Sequence, residues 1–238
     1  MKTKLRILAV GANPDDVELL CGGTLAKYSK LGHTVIISHV TNGDLGHFHI
    51  PRNKLAKIRI KEAQKAGKLI KAEKVINLNF HDLDVHHDRK DIKKFIDMIR
   101  EAKPDLIITH DPNDYMPDHV ATSRLVVDAS FIATLPQLKT KHIYHPKVTP
   151  IYYMDTVAGV NFAPTEYVDI TGVMETKKKM LGCHESQITW MKEHDKIDFI
   201  EFMMIVAKFR GLQSNVTYAE SFRQAKIWPR NITERLLP

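Results

Sequence analysis

The chain predicts an α/β domain built on a mainly parallel sheet, with a C-terminal elaboration. Short apolar runs alternate with helix-period segments through the first 135 residues, which is the pattern of a parallel sheet covered by helices on both faces. Several helical segments are bounded by Gly or Pro, such as Gly32, Pro104 and Pro136. At 238 residues and 43% apolar, the chain is long enough to close one large core. Residues 1–238 are therefore read as a single domain, and no repeat, low-complexity segment or linker divides them.

Strands fit residues 5–10, 34–40, 74–78 and 105–109, and helices fit 17–31, 53–71, 88–102 and 117–133. The first apolar run follows Met1-Lys2-Thr3-Lys4 in the manner of a leader peptide. Arg6 interrupts it and Asp15-Asp16 follow it, so it reads as a first strand. The stretch 136–150 is rich in Lys, His and Pro and reads as a surface loop. A strand near 150–155 and another at Thr165–Asp169 come next, then helices near 173–184 and 195–210 and an extended run ending in Trp228-Pro229-Arg230.

Composition removes several classes of function. Net charge is +7, from 35 basic and 28 acidic residues, with lysines such as Lys61, Lys65, Lys68 and Lys71 recurring along one helical segment. Without aromatics between them these read as a solvated face, not a nucleic-acid surface. No stretch is long and apolar enough to span a membrane. Cys21 and Cys183 are in no paired spacing, which favours a reducing, cytoplasmic setting. The glycines near Gly11 and in Thr41–Gly46 lack dinucleotide spacing, and no Gly-Lys-Ser loop is present, so a nicotinamide or nucleotide enzyme is not expected.

Chemistry concentrates at two loops. Asn13-Pro14-Asp15-Asp16-Val17-Glu18 joins the first strand to a helical stretch, and His110-Asp111-Pro112-Asn113-Asp114-Tyr115-Met116-Pro117-Asp118-His119 does the same after the run Leu106–Thr109. Loops after two parallel strands converge at one edge of a sheet, where ligands bind. One acid of an adjacent pair can hold a metal through oxygen while the other takes a proton from water. Asp16 and His119, with Asn13 as a weaker third ligand, make a plausible open site. Asp15-Asp16 also suit plain helix capping, and Asn13 suits the turn before Pro14.

The sequence resembles the LmbE-like, or PIG-L, family of zinc-dependent N-deacetylases. Seven segments carry the resemblance in the family's order: Pro14-Asp15-Asp16-x-Glu18, Gly22-Gly23-Thr24-Leu25, Thr41-Asn42-Gly43-Asp44, Arg59 with Glu62-Ala63, Pro117-Asp118-His119, His184 with Ser186-Gln187, and Ala219-Glu220-Ser221-Phe222-Arg223. It implies a Rossmann-like three-layer sandwich and metal-dependent hydrolysis of an N-acetyl group on an N-acetylglucosamine-type small molecule or glycoconjugate. It places the metal triad on Asn13, Asp16 and His119, the general base on Asp15 and a substrate contact on Arg59. Two usual histidines are replaced, a zinc ligand by Asn13 and an acid by Met116. A neutral amide suits zinc less well than imidazole, so a weakened zinc site, or another divalent metal, is expected.

Several residues keep two readings. His110, at the end of the fourth strand, lines the pocket or substitutes for the lost ligand. Asp118 is placed with the catalytic groups and can orient a histidine ring. Asp114 and Met116 are carried as pocket residues, with Met116 most simply an apolar wall. Arg59 either contacts substrate or pairs with Glu62 one turn on. His81, His86 and His87, and likewise His47 and His49, read as chance loop clusters. The alternative to an enzyme is a sugar-binding protein that keeps the pocket without turnover. Assembly into a homo-oligomer stays open.

Overall fold

The computed structural model describes residues 4–88 and 90–238. Seven strands form one sheet: β1 (Arg6–Gly11), β2 (Thr34–Thr41), β3 (Lys74–Phe80), β4 (Leu106–Thr109), β5 (Ile151–Met154), β6 (Glu166–Asp169) and β7 (Ala219–Gln224), in the order β3-β2-β1-β4-β5-β7-β6. The first five run parallel, and β7 lies antiparallel between β5 and β6. Among the described residues eight α-helices accompany them: α1 (Asp16–Leu20), α2 (Gly22–Lys30), α3 (Arg52–Leu69), α4 (Ile92–Ala102), α5 (Pro117–Ile132), α6 (Met174–Leu181), α7 (Glu185–Trp190) and α8 (Phe199–Ser214).

Side chains alternate across a strand, and the two cores follow that alternation. Ile7 and Ala9 of β1 pack on one face with Val17, Leu25, Met180 and Met203. Leu8 and Val10 pack on the other with Phe95, Ile99, Leu125 and Ala129. The result is the mixed α/β, three-layer arrangement that the alternating pattern predicts. No helix among the described residues is long and apolar enough to cross a membrane.

Three local differences have physical causes. The helix expected over 17–31 breaks at Cys21 (φ −141°, ψ 12°) into α1 and α2. Gly22-Gly23 propagate a helix poorly, and the new N-terminus is satisfied by the Glu220 carboxylate, which accepts the N–H groups of Gly23 and Thr24 at 2.8 and 2.7 Å. The gap left between the last two expected helices holds α7 and a π-helical turn, Met191–Asp195. The extended run before Trp228 contains β7, a strand buried along Ala219–Phe222.

The sheet positions the site through its register. β1 and β4 are neighbours, with Val10 opposite Thr109. The turn after β1 and the loop after β4 therefore leave the carboxyl edge side by side.

Candidate metal centre and cleft

Asp16 and His119, more than a hundred residues apart in sequence, meet at that edge: His119 Nε2 lies 3.4 Å from Asp16 Oδ1. His110 joins them, with Nε2 3.2 Å from Asp16 Oδ2. Asp16, His110 and His119 each offer a ligand atom within 4.8 Å of the others, and this is the only such group of three among the described residues. Asn13 stands differently. Its main-chain N–H donates to Asp16 Oδ2 at 2.6 Å, and its amide nitrogen donates to Thr41 Oγ1 and Asp82 Oδ1 at 2.9 and 3.2 Å. His110, read from sequence as a pocket residue or a substitute ligand, lies beside Asp16 and His119.

The two imidazoles are prepared differently. Asp114 Oδ2 accepts Nδ1–H of His119 at 2.9 Å, which orients the ring with Nε2 toward Asp16, the arrangement common behind metal-bound histidines. That Nε2 is buried and has no hydrogen-bond partner. Burial alone would push the His119 pKa down, but the Asp16 and Asp114 carboxylates outweigh it and raise it to about 10. The orphaned nitrogen beside a carboxylate is thus a cation site, filled by a proton or a metal. His110 Nε2 accepts the Ala12 N–H at 2.9 Å, while its Nδ1 is buried without a partner. Its ring stacks on His119 at 3.8 Å. Two imidazoles and one carboxylate form a donor set that fits zinc.

Asp15 occupies the tightest part of the turn. Its backbone has φ 125°, a strained conformation for a residue with a Cβ and one found at functional sites. Burial raises its carboxyl to about 7, against the opposing pull of Arg59. Asp16 goes the other way: burial is outweighed by His119 and His110, and its pKa lies well below the ordinary range. The adjacent carboxyls are thereby separated, one held as an anion and one able to exchange a proton near neutrality.

Arg59 braces the turn from α3. Its Nη2 donates to the Pro14 carbonyl at 2.5 Å and lies 3.2 Å from Asp15 Oδ1. Arg59 is not paired with Glu62 in the helix, because the Glu62 carboxylate accepts the Ser186 N–H and hydroxyl at 2.8 and 2.6 Å. Gly43 lets the guanidinium approach: its φ is +70°, and a Cβ there would lie 2.5 Å from Arg59 Cδ.

These groups open into a cleft of about 450 Å³ whose walls include Asp15, Asp16, Arg59, Met116, Asp118 and Trp190. Asp118 is not the group that orients His119. Its Oδ2 accepts the Leu83 N–H at 2.9 Å, and burial raises its pKa. Asp114, carried as a pocket residue, sits behind His119 instead. The outer histidines pair separately: His81 with Asp44, His86 with Asp84 and His87 with Asp128.

A fully buried cluster beneath the turn was not assigned from sequence. Glu18 lies between His184 Nε2 at 3.5 Å and His39 Nε2 at 3.8 Å, all with side chains fully buried. Burial would raise the Glu18 pKa, but the two histidines lower it. His39 also donates Nδ1–H to the Asn13 carbonyl at 3.1 Å, so this buried cluster underpins the Asn13–Asp16 turn. In the sequence its signal is the acid of Pro14-Asp15-Asp16-x-Glu18 together with His184, two motif residues whose spacing alone assigns no role.

Residues 8–130 match the model of a family described as PIG-L, GlcNAc-PI de-N-acetylase. The diacetylchitobiose deacetylase of Thermococcus kodakarensis is 26% identical over 230 residues, covering 92% of this chain and 82% of that protein. The N,N′-diacetylchitobiose deacetylase of Pyrococcus horikoshii, solved with an inhibitor, superposes with a TM-score of 0.80 at 28% identity, covering 92% of this chain and 83% of that one. A 4-carboxy-2-hydroxymuconate hydratase of Pseudomonas putida shares the fold at a TM-score of 0.80 and 23% identity, covering 97% and 98%. At that distance the likeness speaks for the fold alone, and chemistry must be argued from the site.

Proposed function

The chain belongs to the PIG-L family, and from that membership we propose that it is a metal-dependent N-deacetylase acting on an N-acetylated amino sugar of the N-acetylglucosamine type. The observation that carries the reading is the buried, unpartnered His119 Nε2, held ready by Asp114 beside Asp16 and His110. We assign zinc to Asp16, His119 and His110, with His110 supplying the imidazole that Asn13 lacks once Ala12 releases its Nε2. Asn13 is assigned to the turn. This exchange offsets part of the weakening expected from Asn13.

A divalent ion at this position supplies Lewis-acid activation of a water and of the acetyl carbonyl. Asp15, lining the cleft beside Asp16, takes the proton from the attacking water. Arg59 holds Asp15 and the Pro14 carbonyl in place. Met116 cannot donate a proton, so the carboxyl in the cleft beside it, Asp118, is assigned to the departing amine. The reaction is hydrolysis of a linear amide, releasing acetate and a free amino sugar. A cytoplasmic setting accords with two free, buried cysteines.

The test is acetate release from N-acetylglucosamine and its short glycosides by protein loaded with zinc. Release that depends on Asp15 supports the reading. Tight binding of these sugars with no release by zinc-loaded protein, even after Asn13→His and Met116→His, would make it a sugar-binding protein.

A further inference from the structure

Helix α8 turns an apolar stripe to solvent that neither the sheet nor the cleft uses. Phe199, Met203 and Ala207 bury its inner face in the core. On the opposite side Ile205 is 59% exposed, Phe209 49% and Leu212 82%. Phe209 and Leu212 follow Ile205 by one turn and two turns, so the three share one face of the helix. Glu201, one turn before Ile205, and Lys208, one turn after it, are exposed on that same face. Neither side chain has an ion-pair partner among the described residues. At the start of α8 a hollow of about 600 Å³ opens, with Ile188, Ile197 and Ile200 among its walls. An apolar surface of this kind marks a place where something binds.

We propose that the stripe is the interface of a two-fold dimer, in which α8 packs antiparallel on α8 of a second copy about an axis beside Ile205. The inference goes beyond the deacetylase reading and does not depend on it. Two observations name a second copy as the occupant. The first is charge. Antiparallel pairing about Ile205 sets Glu201 of each copy opposite Lys208 of the other, so a single stripe carries both halves of two ion pairs. In-register parallel pairing would set like charges together, which selects against it. The second is shape. The same pairing brings the protruding Leu212 of one copy opposite Ile197 of the other, over the hollow at the start of α8, and a two-fold axis repeats the contact. Lys192 and Lys196 also line the hollow, and their aliphatic stems suit a leucine while their ammonium groups stay in water. The segment that receives Leu212 also supplies Trp190, Met191 and Phe199 to the cleft wall, so the second copy packs on the piece of chain that walls the cleft.

The experiment is sedimentation velocity on the full chain over roughly 1–100 μM, the range in which an interface of modest size associates. Glu201→Lys and Lys208→Glu are made singly, and Leu212→Ser beside them. All three positions are exposed, so the fold is expected to survive, and circular dichroism checks that it does. The parent is expected to pass from monomer to dimer across the range. Each charge variant alone sets like charges opposite one another and should weaken the dimer at least about tenfold. Leu212→Ser removes the group that fills the hollow and should weaken it by about tenfold or more. Mixed in equal amounts, Glu201→Lys and Lys208→Glu chains meet with opposite charges at both contacts, and parent-like association should return as a heterodimer. A parent that stays monomeric throughout overturns the proposal. So does a dimer that none of the three variants disturbs, and so do charge variants that dissociate singly and stay apart when mixed. If the chain stays monomeric and instead sediments with phosphatidylcholine vesicles unless Leu212 is replaced, the stripe faces lipid and the pairing falls.

Discussion

His119 donates Nδ1–H to Asp114 at 2.9 Å, and the bond turns the ring's other nitrogen, buried, toward Asp16 at 3.4 Å. Asp114→Asn removes the carboxylate that holds the ring in this orientation. Metal affinity is expected to fall roughly 10- to 100-fold, measured by competition with a chromogenic chelator. Unchanged affinity would mean that Asp114 serves only the loop.

Asp15→Asn should lower turnover by about 10²- to 10⁴-fold, the usual worth of a positioned proton acceptor. Metal content should stay near that of the parent, because Asp16 and not Asp15 faces His110 and His119. Loss of metal in this variant would move Asp15 into the ligand set.

Gly43→Ala tests the brace. The new Cβ meets Arg59 at 2.5 Å and must adopt φ +70°, a strain of about 1–3 kcal/mol. The melting temperature should fall by about 2–4 °C per kcal/mol for a chain of this size, and turnover should drop with it as Arg59 shifts away from Asp15. An Ala variant with the parent's stability and rate would show that Arg59 yields freely.

Asp44 gives a pH dependence. Burial favours its neutral form, but hydrogen bonds from His81, the Asp82 N–H and Arg52 prevail, and its pKa is lowered. A depressed carboxyl contributes stability above its unfolded pKa of about 3.9 and loses it as pH falls through the lower folded value. Asp44→Asn should therefore be less stable than the parent at pH 6. The difference should shrink as pH falls below about 4 in thermal melts. A difference that is constant down to pH 3 would exclude the charge as its source.

Much of this architecture was legible because apolar runs report strands directly and Gly and Pro mark their ends. The strands at 5–10, 34–40, 74–78 and 105–109 match β1 to β4 within a few residues, and their carboxyl ends carry the acids and histidines. The break at Cys21 was hidden because its cause, Glu220, lies about two hundred residues away in sequence. Likewise no spacing rule says that Glu62 turns from Arg59 to Ser186, or that Asp114 and not Asp118 holds His119. The pairing of His110 with Asp16 follows from the register of β1 on β4, which sequence periodicity leaves open. Glu18 could not be given a role because its partners, His39 and His184, come from β2 and the start of α7.

The most direct test of the metal assignment follows acetate release and bound zinc in one preparation, before chelation, after it and after zinc is restored, alongside His110→Ala. The account predicts that release disappears with the metal and returns with it, and that His110→Ala binds zinc at least tenfold more weakly, the lower bound for losing a metal-supporting group. Release that persists without metal, or a His110→Ala variant that holds zinc as tightly as the parent, would contradict it.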